Sequence, residues 1–204
     1  MHRGLFIAFE GIEGCGKSTQ LKLLAERLDA GGRRVVAVRE PGGTPVGDRV
    51  RAILLDGALT EMTDEAEMLL FAASRAQLVR EVLRPELEAG AVVLCDRYVH
   101  SSLAYQGHAR GLGRDYVAAA NAPAIDGLLP DRVVLVDVPV EDALGRAKAR
   151  AALDRIEAED LAFHTAVRAG FLAEARADAD RFLVVDGGGS PAEVHRAIVE
   201  GLGL

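Results

Sequence analysis

The sequence predicts a doubly wound α/β fold on a five-stranded parallel sheet, and three observations predict it. Five short runs are apolar without alternation, as strands covered on both faces read. Amphipathic helical patterns separate those runs. The first run leads directly into a glycine-rich loop and then a helical pattern, the context of a phosphate-binding strand, loop and helix. The chain has 204 residues and no internal repeat, which suits one domain with a sizeable core.

The first strand is "LFIAFE", Leu5 to Glu10. A helix is expected over Ser18 to Ala30, where Leu21, Leu24 and Leu28 share a face. "VVAVRE" at Val35 to Glu40 is the second strand, and a long helix is expected over Asp64 to Ala89. Pro85 should kink or break that helix, because it lacks an N–H and crowds the preceding turn. "AVVLCD" (Ala91 to Asp96), "RVVLVDV" (Arg132 to Val138) and "RFLVVDG" (Arg181 to Gly187) complete the sheet. Further helices are expected after Pro139, over Ile156 to Ala179, and from Pro191 towards the C-terminus. The runs end in Glu10, in Arg39 and Glu40, in Asp96 and Arg97, in Asp137 and in Asp186. In an open parallel sheet those ends share the edge where ligands bind.

Composition excludes several classes. Net charge is −7, against a generic nucleic-acid or membrane-surface partner. No apolar run is long enough to span a bilayer, and the N-terminus lacks the features of a signal peptide, so a cytoplasmic protein is expected. Cys15 and Cys95 are too few and too distant for a disulfide framework or a paired metal site. The His residues have no ligand spacing.

The residues Gly11 to Ser18 satisfy G-x-x-x-x-G-K-[ST]. Gly11, Gly14 and Gly16 let the backbone turn its N–H groups inward, and the following helix adds partial positive charge. Lys17 is expected to reach the β- and γ-phosphates of a nucleoside triphosphate, and the Ser18 hydroxyl to ligate Mg²⁺. A guanine-reading N-K-x-D is missing, which argues against a GTP-dependent switch. Transfer to a phosphate monoester requires no dedicated base, because its second pKa near 6 leaves an oxyanion at neutral pH. It requires arginine, whose fork pairs with phosphate, and Arg39 and Arg97 lie at strand ends.

Five stretches together resemble the thymidylate kinase family over essentially the whole chain: "FEGIEGCGKST", "REPGGTPVG", "FAASRAQ", "DRYVHSSLAYQG" and "LDRIEAED". The resemblance implies ATP-dependent phosphorylation of dTMP to dTDP, with Mg²⁺, in a homodimer. It implies that Gly11, Ile12, Glu13, Gly14, Cys15, Gly16, Lys17, Ser18, Thr19 and Arg146 bind ATP. The acceptor site it implies comprises Arg39, Phe71, Arg75, Arg97, Ser101, Ser102, Tyr105, Gln106 and Glu13. In that site Phe71 stacks on thymine, Arg75 donates to a base carbonyl, and Tyr105 disfavours a 2′-hydroxyl. Lys17, Arg39, Arg97, Arg150 and Glu13 would be catalytic, and Ser18, Glu13 and Asp96 would face the metal. The family's cis peptide before Pro41 is also expected. Adenine is expected near Asp186 to Gly188 and a lid arginine.

A basic segment at about 146–157 holds Arg146, Lys148, Arg150 and Arg155. Arg146 and Arg150 are i, i+4, a spacing at which like charges repel unless an anion lies between them. By resemblance to the bacterial subtype this is a lid. Its arginines, Arg150 first, then Arg146 and Arg155, would replace one that some members carry inside the phosphate loop. Alternatives remain at this point: a kinase for another nucleoside monophosphate or a deoxynucleoside, and a nucleotide-binding regulator without turnover.

Overall fold

The structure is a computed structural model that describes residues 4–150 and 154–204, and of Arg150 the backbone alone. The strands are β1 (Leu5–Glu10), β2 (Val35–Arg39), β3 (Val92–Asp96), β4 (Arg132–Asp137) and β5 (Phe182–Asp186). They form one parallel sheet in the order β2-β3-β1-β4-β5. The predicted strands are all present, each within a residue of the expected bounds. Central β1, β3 and β4 are buried almost throughout, which is why they read as unbroken apolar runs. Edge strands β2 and β5 are only partly covered.

Register places the chemistry at one edge. Phe9 pairs with Asp96, and Asp96 pairs with Arg39. The carboxyl end of β1 is flanked by β3 on one side and β4 on the other, so the loop after β1 opens where successive connections diverge.

The helices are α1 (Lys17–Ala30), α2 (Pro45–Leu55), α3 (Asp64–Leu78), α4 (Arg84–Glu88), α5 (Val99–Ser102), α6 (Arg114–Ile125), α7 (Val140–Arg150), α8 (Leu161–Ala177) and α9 (Pro191–Leu202). Two wide π turns, Val79–Leu83 and Leu103–Ala109, continue α3 into α4 and extend α5. The break expected at Pro85 is thus displaced: the hydrogen-bond ladder widens one turn earlier, and Pro85 sits in the first turn of α4, where its missing N–H costs little. The helix expected over Ile156 to Ala179 begins later, at Leu161. Asp160 caps it by accepting from Phe163 N at 2.8 Å.

Three helical segments escaped the sequence reading: α2, the stretch from Val99 to Ala109, and α6. Their interiors carry Gly47, Ser101, Ser102, Gly107 and Pro123, which lower helix propensity, and tertiary packing overrides it. The start of α2 was nevertheless written in "TP". Thr44 accepts from Gly47 N at 3.0 Å, and Pro45 stands in the first turn.

His100 makes stability depend on acid. It is 6% exposed, its ring meets Phe182 edge-on at 5.0 Å, and its Nδ1 has no hydrogen-bond partner among the described residues. Burial, and then the Arg181 charge, push its pKa down to about 3. The folded state therefore binds this proton more weakly than the unfolded chain. The stability is complete above the ordinary histidine pKa and is lost as pH falls towards 3. The loss at pH 5 amounts to about 2 kcal/mol. His100→Leu is expected to flatten the fall in thermal midpoint between about pH 7 and pH 5. An unchanged slope in a pH series of melting curves would show that other groups carry it.

Candidate active site

A cavity of about 720 Å³ opens at the carboxyl edge of the sheet. One wall is the loop Gly11 to Gly16. Gly11 (φ 136°) brings its Cα so close to β4 that a Cβ would stand 2.5 Å from the Val136 carbonyl oxygen. Gly14 (φ 75°) abuts α7, and a Cβ there would meet the Ala143 carbonyl oxygen at 2.0 Å. Position 14 has no room for a side chain, so an arginine at that point of the loop is sterically excluded. Gly11 and Ile12 lie beneath the cavity surface, whereas Glu13, Gly14, Cys15, Gly16, Lys17, Ser18 and Thr19 line it. Lys17 is 6% exposed. Its Nζ donates to the carbonyls of Gly11 (3.0 Å) and Ile12 (2.8 Å) and lies 3.6 Å from Cys15 Sγ.

Ser18 and Asp96, both expected near the metal, meet: Ser18 Oγ donates to Asp96 Oδ2 at 2.5 Å. Glu13 is engaged elsewhere. Its Oε1 accepts from Arg97 Nη2 at 2.5 Å and its Oε2 from the Tyr105 hydroxyl at 2.5 Å. Burial opposes its ionisation, but the Arg97 and Lys17 charges and the Tyr105 hydroxyl prevail and hold its carboxyl below the usual range. Among the described residues no group of three or more His, Cys, Asp or Glu gathers around a common point.

Arg97 lines the cavity in direct contact with the loop. Its φ of 74° is left-handed, a conformation that costs a non-glycine residue free energy and is imposed by its surroundings. Its N–H donates to the Phe9 carbonyl at 2.9 Å. Nη1 donates to Gly11 O at 3.0 Å and Ser101 Oγ at 3.1 Å, and Nη2 donates also to the Tyr105 hydroxyl at 3.2 Å. Glu10, at the end of β1, supports this from below. Its carboxyl accepts from Tyr98 N (2.8 Å), Ser101 N (3.2 Å) and Ser101 Oγ (2.6 Å).

Arg39 lines the same cavity with its side chain 61% exposed, 3.8 Å from Asp48. The cavity also holds Arg51 of α2, which the sequence reading missed because it missed the helix. Arg51 lines the cavity and donates to the Pro41 carbonyl at 3.1 Å. Burial lowers its pKa, and the charges of Arg39 and Arg97 lower it further against the opposing carboxylates of Asp154 and Asp96. Three guanidinium groups thus line one cavity, and an anion between them would relieve their repulsion. The Glu40–Pro41 peptide is cis, as expected.

Phe71, Ser101, Ser102, Tyr105 and Gln106 all line the cavity. Tyr105 is wedged against Phe163 and Phe171 at ring distances of 6.1 and 6.0 Å. Arg75 departs from expectation: it is 1% exposed and does not line the cavity. Its Nε donates to Glu40 at 2.8 Å, Nη2 to the Tyr98 carbonyl at 3.2 Å, and Nη1 to Ser102 Oγ at 3.0 Å and to Asn121 Oδ1. A buried guanidinium must be paired in this way, and here it fixes Glu40 and Ser102, which do face the cavity. Burial, opposed by Arg75, raises the Glu40 pKa to about 7.

Arg146 Nη1 donates to the Gly187 carbonyl at 3.2 Å, and Gly187, Gly189, Pro191 and Val194 also line the cavity. Asp186 itself turns away to accept from Gly188 N at 2.8 Å. Arg155 does not face the phosphate loop. It donates to the Leu54 carbonyl at 3.0 Å and to Glu67 at 2.5 Å. The Arg150 side chain and residues 151–153 lie outside the described residues. Cys95 is fully buried, and burial raises its pKa well above the ordinary thiol value, as suits a small apolar residue in a central strand.

Residues 9–198 match a family model described as thymidylate kinase. Thymidylate kinase of Citrifermentans bemidjiense is 50% identical over 205 aligned positions, covering 98% of this chain and 91% of that one. Thymidylate kinase of Deinococcus radiodurans is 54% identical over 186, covering 91% and 90%. The crystal structure of thymidylate kinase from Ehrlichia chaffeensis superposes with a TM-score of 0.82 over 100% of both chains at 31% identity. A phosphate loop facing an arginine cluster, on this sheet and with these relatives, leaves one assignment: the chain belongs to the thymidylate kinase family.

Proposed function

We propose that this chain, as one P-loop kinase unit, transfers the γ-phosphoryl group of ATP to the phosphate of dTMP, giving ADP and dTDP. The observation that carries the reading is the cavity in which Lys17 and the phosphate loop face Arg39, Arg51 and Arg97. An oxygen of the acceptor phosphate forms the new bond to the γ-phosphorus, and the bond from that phosphorus to the β,γ-bridging oxygen breaks, releasing ADP. The acceptor is already an oxyanion, so the residues need only hold two polyanions in line. Lys17 and the loop N–H groups take the donor phosphates. The three arginines take the acceptor phosphate. Phe71, Ser102 and Gln106 line the base pocket, and Tyr105, braced by Glu13, walls the sugar. Gly187, Pro191 and Val194 with Arg146 offer the adenine face. Arg146 and Arg150 would stabilise charge on the transferring group.

Mg²⁺ fits this donor set. Magnesium is commonly held by one or two carboxylates, substrate phosphates and water, and Asp96 with Ser18 supplies a carboxylate and a hydroxyl beside the loop. When bound, it would neutralise charge on the donor phosphates. The test is a coupled ADP-release assay across dTMP, dUMP, UMP, CMP, dGMP and thymidine. Preference for thymidine over dTMP would refute the phosphate-acceptor reading.

A homodimer fits the outer surface. Ile53 on α2 (44% exposed), Leu69 on α3 (57%) and Tyr116 on α6 (55%) lie on helices packed side by side. We assign this face to a second copy. Leu69→Glu is expected to shift the sedimentation coefficient to that of a monomer, and a wild-type protein that sediments as a monomer would refute the assignment. No helix among the described residues is long and apolar enough to cross a membrane. The reading places the enzyme in the cytoplasm, acting on ATP and dTMP rather than on nucleic acid.

A further inference from the structure

Glu67 stands behind the base pocket, and the phosphoryl-transfer reading gives it no task. It lies on α3 one turn before Phe71 and is 1% exposed. Its Oε1 accepts from Gln106 Nε2 at 2.8 Å and its Oε2 from Arg155 Nη2 at 2.5 Å. Arg110 grips both oxygens, Nε to Oε1 at 3.3 Å and Nη2 to Oε2 at 3.1 Å. Burial works against the charge, but Arg110, Gln106 and Arg155 prevail and hold the carboxyl below the usual range. A carboxylate so held has no proton to give. The amide beside it must therefore turn its NH₂ towards Glu67 and its carbonyl oxygen the other way. Gln106 lines the cavity, and no described residue donates to that oxygen.

We propose that Glu67 is a positioning residue that fixes the polarity of the Gln106 amide, so that the pocket presents a hydrogen-bond acceptor to the nucleobase and selects bases with a ring N–H. This rests on the acceptor reading above. Thymine and uracil carry an imide N–H that donates to such an oxygen. The corresponding ring nitrogen of cytosine carries a lone pair and would face the amide oxygen lone pair to lone pair. A site built to hydrogen-bond one group rejects the analogue lacking it far more strongly than a change in size could. Arg110 and Arg155 keep Glu67 charged and thereby hold the amide in one orientation.

The test is the ratio of kcat/KM for dTMP over dCMP with ATP. Glu67→Gln puts a side chain that both donates and accepts where only an acceptor stood, so the Gln106 amide can turn over. The ratio is expected to fall by at least about tenfold, with dUMP tracking dTMP. A purely structural role would lower both acceptors alike, and an unmoved ratio overturns the proposal. Should Glu67→Gln fail to fold, Gln106→Leu leaves Glu67 paired with both arginines and must collapse the same ratio; a preserved ratio there also overturns it. Wild-type protein without dTMP-dependent ADP release would sink the acceptor reading and this proposal together. Normal dTMP turnover with unmoved ratios sinks only the role of Glu67.

Discussion

Arg97→Ala is expected to lower kcat/KM for dTMP by about 10³-fold while leaving the dissociation constant for ATP within about threefold. The size follows from three losses at once. On the proposed reading the acceptor phosphate loses its most buried guanidinium. Glu13 keeps a buried carboxylate but loses its 2.5 Å partner, so its pKa should rise. Tyr105 loses the cation over its ring at 5.1 Å and is less firmly placed in the cavity wall. The rise in the Glu13 pKa gives a second readout, an acid limb of the kcat/KM profile displaced to higher pH. Titration of both nucleotides into the variant separates the alternatives, because equal loss of ATP and dTMP binding would make Arg97 a scaffold residue. Its left-handed backbone helps here, since alanine inherits the same strain without adding to it.

Lys17→Met should reduce kcat by about 10²- to 10³-fold with the dTMP dissociation constant nearly unchanged. Methionine retains the length of the stem and removes the charge. The ammonium now donates to the Gly11 and Ile12 carbonyls of the loop, and transfer builds charge on the phosphate oxygens it would hold. Pre-steady-state phosphoryl transfer measured at saturating ATP isolates the chemical step. A rise confined to the ATP KM would mean that Lys17 binds the ground state and transition state alike.

Much of this site was legible because its chemistry is local in sequence. The loop Gly11 to Ser18 needs consecutive residues to curl around an anion, so it is written consecutively. Arg39, Asp96 and Arg97 were legible for a different reason: a parallel sheet brings all its carboxyl ends to one edge, so a polar residue ending an apolar run carries its own address. The same logic named Asp137 and Asp186 and misjudged their use. Asp137 is held bidentately by Arg168 at 2.7 and 2.8 Å, and Asp186 caps its own turn.

The residues that were missed or misplaced depend on contacts between distant segments. Arg51 entered the site on a helix whose glycine and proline disguised it. Arg75 was placed at the base by the family resemblance, yet its guanidinium is spent on Glu40, Tyr98, Ser102 and Asn121, drawn from three other segments. Arg155 was grouped with the lid cations by proximity in sequence, and it turns instead to Glu67, 88 residues away.

By itself the sequence determined the sheet, its buried centre, the glycine loop and the edge at which the cavity opens, because strand burial and backbone curvature are set by which residues are adjacent. Tertiary structure alone decided which charged side chains face the cavity and which are used up inside the protein. A buried charge must find partners wherever the fold supplies them, and a one-dimensional pattern carries no record of where those partners lie.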